Sequence, residues 1–307
     1  MIKKLFLKEY IFLFLFLAIT LLNGCSFEEG TYVSDDTFRS GFSGVRLSFV
    51  DGAPPDEISE NTATQVGISV NNVGAYDVED GYITLNYDHD YLKLYSQNKK
   101  KITLEGRNKF NRDGEERAFF FDGETKFLES QSQAHEVPLI ASVCYKYDSV
   151  LNDVLCIDRP YVNSVERGSK ICTYSPKTYG GQGGPVGITS VKLLLSKTSG
   201  EDLLKPIFDI ELSHKGDGLV SSVKSYSSAC TTGSSKESMN KVFVDAYLSG
   251  KKLDCGNEEV KLVNGRARVR CVGQEIFTYA MPFKAPLSIN LSYAYSESET
   301  FKFKITR

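Results

Sequence analysis

The chain has 307 residues, a net charge of −3, seven cysteines and no tryptophan. Lysine and arginine are interspersed with acidic residues, so no basic field marks a nucleic-acid binder. Tyr and Phe number 17 and 19 and long Ala/Glu/Leu runs are missing, which favours strands over a helical bundle.

The N-terminus carries Lys3-Lys4 and then an apolar run from Tyr10 to Leu22, YIFLFLFLAITLL. A membrane span needs about 20 apolar residues, so a run of this length suits the h-region of an export signal. It ends in Leu22-Asn23-Gly24-Cys25, which resembles the lipobox of bacterial lipoproteins, also used by some archaea. Asn23 departs from the usual small residue and Lys8-Glu9 interrupts the apolar stretch early. The resemblance implies that residues 1–24 are a signal peptide and that the Cys25 thiol takes a diacylglycerol-type lipid on the extracytoplasmic side of a membrane. An uncleaved signal anchor with an incidental cysteine is the alternative. Residues 25–44, rich in Ser, Gly, Asp and Glu, read as a lipidated cysteine and flexible tether.

Beyond the tether, short alternating blocks predict strands at 45–49, 65–70, 81–87, 91–95, 101–106, 117–121, 138–147 and 153–157. Turn residues separate most of them every eight to twelve positions, the spacing of a β-sandwich. The Lys99–Lys101 run and Asp77–Asp80 read as solvated turns. A second half repeats the order. Val45-Arg46-Leu47 matches Val191-Lys192-Leu193, residues 66–78 align without gaps on 208–220 (Gly74 on Gly216), and Tyr145-Lys146-Tyr147 matches Tyr293-Ala294-Tyr295. Three collinear matches indicate internal duplication. The expected fold is all-β: two tandem immunoglobulin-like β-sandwiches over 45–179 and 187–307, joined by a Gly-rich hinge at 180–186. That hinge lacks the following helix a phosphate-cradling loop needs.

Six cysteines remain once Cys25 is set aside. An even number in an exported chain suggests three disulfides. Local pattern favours Cys144 with Cys156 across a hairpin turning near Ser149–Asn152. Cys255 would pair with Cys271 across the Asn264-Gly265 type I′ signal, and Cys172 with Cys230. In the aligned repeats Cys144 falls on Ser292 and Cys156 on Lys304, so the first pair would be lost together. Zinc ligation lacks a C-x-x-C pair or a nearby His.

The block VGISVNNVGAYDV, with its V-x-I-x-V-x-N-x-G pattern, is similar to immunoglobulin-like modules of the CARDB and NPCBM-associated kind. That resemblance implies a spacer or adhesion module. CYKY…LCID (144–158) followed by GGQGGPV (180–186) also resembles uncharacterised exported proteins of archaea and implies no activity.

His89, His135 and His214 lie apart in sequence, and neither G-x-S-x-G nor H-E-x-x-H occurs. No cofactor is expected beyond the lipid. The loops carrying Asp51, Asp56, Glu57, Asp88 and Asp90 converge on one pole and form a candidate Ca²⁺ site, with solvated loops as the alternative. Phe119-Phe120-Phe121 places two rings on one face, leaving Phe120 for a loop or a partner. Asn290-Leu291-Ser292 is a glycosylation sequon inside a predicted strand. These features point to a non-catalytic envelope lipoprotein acting as a protein or glycan interaction or adhesion module. A structural envelope component, an accessory subunit of a membrane-associated complex and a degenerate hydrolase are the alternatives.

Overall fold

The computed structural model describes residues 37–158, 172, 175–197, 203–230, 233, 235–257, 259–277 and 282–307. Residues 1–24, Cys25 and the tether as far as residue 36 lie outside the described residues.

The first half forms β1 (Val45–Phe49), β2 (Glu57–Ser59), β3 (Ala63–Asn72), β4 (Val78–Tyr87), β5 (Leu92–Leu94), β6 (Lys99–Leu104), β7 (Glu116–Thr125) and β8 (Ala134–Ile157). It is followed by β9 (Lys177–Thr178), β10 (Val186–Lys197), β11 (Leu203–His214) and β12 (Leu219–Ser221). After a 3₁₀ turn (Val223–Ser225) and a one-turn helix (Tyr226–Ala229) come β13 (Lys241–Leu248), β14 (Lys251–Lys252) and β15 (Glu259–Lys261). The chain closes with β16 (Arg266–Val272), β17 (Ile276–Phe277) and β18 (Phe283–Thr306).

β8 and β18 are each 24 residues long and pair antiparallel over their whole length. They form the spine of a nine-stranded sheet ordered β14-β13-β18-β8-β4-β6, with β2 and β12 also beside β18 and β15 beside β13. A four-stranded sheet, β1-β3-β7-β5, belongs to the first half, and a five-stranded one, β16-β11-β10-β9 with β17 beside β11, to the second. Inward residues of all three sheets, among them Ile68, Phe121, Tyr147, Phe208, Ile210 and Tyr293, join one apolar core. The fold is therefore all-β and layered as a sandwich, and its large sheet runs unbroken across both halves. Residues 37–307 form one compact unit.

The expected hairpin at Ser149–Asn152 does not exist, because those residues are mid-strand. Asp148 and Asn152 face solvent, while buried Ser149 donates its hydroxyl to the Val186 carbonyl at 2.8 Å. Turn-favouring residue types here satisfy the alternation of a strand rather than breaking it. The disulfides differ accordingly: Cys144 bonds Cys230, Cys156 bonds Cys172, and Cys255 bonds Cys271 as expected. Asn264 and Gly265 both have positive φ, 51° and 71°, as a type I′ turn requires. Lys99–Lys101 and Val78–Asp80 lie in β6 and β4 rather than in turns, and Asp80 is paired with Lys101 and Lys146.

The duplication acquires a register. Along the spine Tyr145 pairs with Tyr295 and Tyr147 with Tyr293, so a local two-fold axis passes through the Lys146–Ala294 pair. Equivalent tyrosines make equivalent hydrogen bonds. Tyr145 accepts from the Val45 amide and Tyr293 from Val186; Tyr147 accepts from the Tyr76 amide and Tyr295 from Gly218. Val45 also pairs with Asn72, and Val186 with His214, so Val45 corresponds to Val186 and not to Val191 as the sequence match suggested. A register irregularity between Ile188 and Ser190 conceals the true match.

From Val78/Val220 to Leu85/Ala246 the offset between repeats rises from 142 to 161, so nineteen residues are inserted in the second copy. That insertion contains the short helix and Cys230. It covers the outer side of the spine at the axis, where Cys144, Tyr226 and Ala294 form a separate small cluster. The glycine-rich segment is also no open hinge. Residues 181–188 are buried, with Gly183 donating to the Gly41 carbonyl and its own carbonyl accepting from Ala75.

Candidate functional site

β4 ends at Tyr87 in a turn closed by Asp88, whose carboxylate accepts from the Asp90 amide at 2.9 Å while its carbonyl accepts from Leu92. This turn returns Tyr91 to the start of β8, where its ring stacks on His135 with centroids 3.7 Å apart and planes at 16°. The His89 ring lies 4.3 Å from that of Tyr87. Both tyrosines pack against the core, so the two imidazoles are carried on rings rooted in the fold. Lys126 ties the turn to the neighbouring segment by donating to the His89 carbonyl at 2.7 Å. The next residue, Phe127, is 68% exposed. An aromatic and imidazole surface of this kind offers stacking area, with amide and carboxylate groups beside it, on a rigid support.

The sequence placed His89 in a loop and His135 at a strand end, but nothing in their spacing joined them. The signal was available in the pairing of β4 with β8, whose antiparallel register carries residue 91 towards residue 135. Asp51, Asp56, Asp88 and Asp90 do not assemble as a metal site. Among the described residues no group of three or more His, Cys, Asp or Glu is placed to hold a metal ion. Asp88 is engaged in its own turn, and Glu57 meets Lys304 at 3.3 Å. Phe121 is buried, Phe119 packs on the core, and Phe120, 38% exposed, covers its cross-strand partner Gly67. An aromatic ring over a strand glycine protects backbone that would otherwise be bare. Asn290 is half-buried between Val150 and Asp245 in the large sheet. The lipobox residues Leu22, Asn23, Gly24 and Cys25 lie outside the described residues.

Apart from this pole, His214 is one of several described residues with a buried polar atom that lacks a hydrogen-bond partner. His214 Nε2 is shielded from solvent without a hydrogen bond, its ring edge-on to Tyr295 at 5.7 Å. Burial holds this imidazole below its ordinary value, and Asp217 opposes that shift. A depressed folded-state value means that His214 favours the folded state above about pH 6.5, and that this contribution is lost as pH falls below it. In the first repeat the same place is held by Asn72. Its amide donates to the Tyr76 and Leu104 carbonyls at 2.9 and 3.3 Å, and its oxygen accepts from Gly74. His214→Asn is therefore expected to flatten the stability profile between pH 6.5 and 5, measured by urea unfolding at several pH values. The wild-type slope is a fraction of the roughly 1.4 kcal/mol per pH unit of a fully linked proton, since the ring is partly exposed. Equal slopes in the two proteins would refute the assignment.

No family model and no curated protein matches this chain. Among solved structures it is aligned with the secreted serine protease VesC from Vibrio cholerae, at 10% identity and a TM-score of 0.21. The alignment covers 84% of this chain and 51% of the protease chain, so the chain spans about half of that protein's length. A score this low carries no argument about fold or activity.

Proposed function

We propose that this protein is a non-catalytic, lipid-anchored envelope protein that recognises a protein or glycan partner, built from two immunoglobulin-like repeats fused through a shared spine. The observation that carries this reading is the exposed pole of Tyr87–His89, Tyr91–His135 and Phe127, an aromatic surface at the loop end of a rigid sandwich. Three disulfides suit an oxidising, extracytoplasmic setting. Among the described residues no helix is long and apolar enough to cross a membrane. The lipobox resemblance at Leu22–Cys25 supports attachment through a lipid on Cys25.

The test is a pull-down from native envelope with the full chain in detergent, beside a variant carrying His89→Ala, Phe127→Ala and His135→Ala. One dominant partner captured by the wild type and depleted at least five-fold by the variant is the expected result. Equal capture by both proteins would remove the pole from the function. Capture of envelope lattice proteins alone would favour the structural-component reading.

A further inference from the structure

We infer that the outer face of the second repeat's small sheet binds an acidic polysaccharide. β16 carries Arg266, Arg268 and Arg270 at alternate positions, so all three lie on one exposed face with neighbouring Cα atoms about 7 Å apart. In register they stand opposite Ser213, Glu211 and Asp209 of β11. Arg270 forks onto Asp209 at 2.7 and 3.0 Å, and Arg268 pairs with Glu211. Arg266 and Lys215 have no anionic partner among the described residues. With Arg268, Glu211, Ser213 and Thr189 they line an open cleft of about 540 Å³.

The first repeat shows what this face is like without that chemistry. The equivalent positions, opposite Asn71, Ser69 and Gly67, hold Glu116, Ala118 and Phe120. One repeat has therefore placed three guanidinium groups on one strand of a chain whose net charge is −3. Guanidinium groups meet carboxylates and sulfates with paired donors. The Glu211 carboxylate and the Thr189 hydroxyl, which itself donates to the Glu211 carbonyl at 3.3 Å, add acceptors that sugar hydroxyls use. None of the described residues that line the cleft is aromatic, and the Phe42 ring beside it is covered by the Lys215 ammonium at 4.5 Å. The surface shares no residue with the aromatic pole, so either assignment can fail while the other stands.

The probes are an oligouronate, a sulfated dextran, neutral dextran and inorganic polyphosphate, titrated into the full chain in detergent at low salt. The wild type is expected to bind the uronate or the sulfated chain, with affinity falling as salt rises, and to ignore neutral dextran. The ratio between the first two shows whether carboxylate or sulfate is read. Arg266→Glu alone, at an exposed residue with no ion pair to break, should weaken binding at least three-fold at an unchanged thermal midpoint, and adding Lys215→Glu, which also removes the ammonium from over the Phe42 ring, should bring the loss to at least ten-fold. Unchanged affinity in the double variant, or no binding of either acidic saccharide by the wild type, would overturn the inference. Binding polyphosphate as tightly as the saccharides would also overturn it, by reducing the site to unspecific charge.

Discussion

Gly74→Ala is expected to destabilise the protein by about 3 kcal/mol, and adding Tyr147→Phe in the same chain should recover part of the loss. A Cβ on Gly74 would overlap the Tyr147 hydroxyl and lie 2.8 Å from the Ser43 carbonyl oxygen. Overpacking of this kind costs about 1–3 kcal/mol. Here it also displaces a buried hydroxyl that accepts from the Tyr76 amide at 3.2 Å and reaches the Asn72 side chain and the Gly183 carbonyl at 3.3 Å. Leaving such groups unpaired costs about 1–3 kcal/mol. Removing the hydroxyl frees the space but leaves the Ser43 carbonyl, so rescue is partial. The duplicated pair should respond alike, because a Cβ on Gly216 would overlap the Tyr295 hydroxyl. Urea unfolding of the four single variants and the two doubles measures the coupling. A Gly74→Ala protein as stable as the wild type, or losses that simply add, would show that the hydroxyls do not set this spacing.

The same four tyrosines explain how far the sequence could be read. Strand positions and the repeat were legible because alternation and the Gly74/Gly216 and Tyr145/Tyr293 matches are local patterns in the chain. The spine was not, since its two strands are separated by more than a hundred residues and only their full-length pairing makes them one element. Burial pushes the Tyr145 and Tyr293 hydroxyls well above their ordinary value, and raises Tyr295 to about 12. These phenols stay protonated and serve as fixed hydrogen-bonding groups beneath each repeat's first strand and its glycine turn.

The disulfides show the opposite case. Cys144 and Cys156 vanish together from the second copy, which suggested that they bond each other. Their partners lie instead in segments without a counterpart, Cys230 in the nineteen-residue insertion and Cys172 between the repeats. Neither bridge can be duplicated, so the joint loss has a cause unrelated to pairing. Cys255–Cys271 was legible because a two-residue turn fixes the register between its flanks. The aromatic pole was hidden for the same reason as the spine: Tyr91 and His135 meet only through long-range strand pairing.

Cys25→Ser is expected to abolish acylation and to leave residues 1–24 on the protein. One acyl chain gives marginal membrane binding, and two or three, at roughly 0.8 kcal/mol per buried methylene, give durable attachment. The apolar run Tyr10–Leu22 would reach only about 20 Å as a helix, against a hydrocarbon core of about 30 Å, which disfavours a permanent span. The fold also shortens the tether expected over residues 25–44. Residues 37–44, expected as tether, belong to the folded body. Gly41 donates to the Gly180 carbonyl and accepts from Gly183, and Arg107 holds the Ser40 carbonyl at 2.8 Å. Intact mass of the detergent-extracted protein decides the matter. The wild type should begin at a lipidated Cys25 and carry acyl label, while the variant should keep its first 24 residues and carry none. A wild-type protein that retains residues 1–24 without acyl label would make the run a signal anchor and Cys25 incidental.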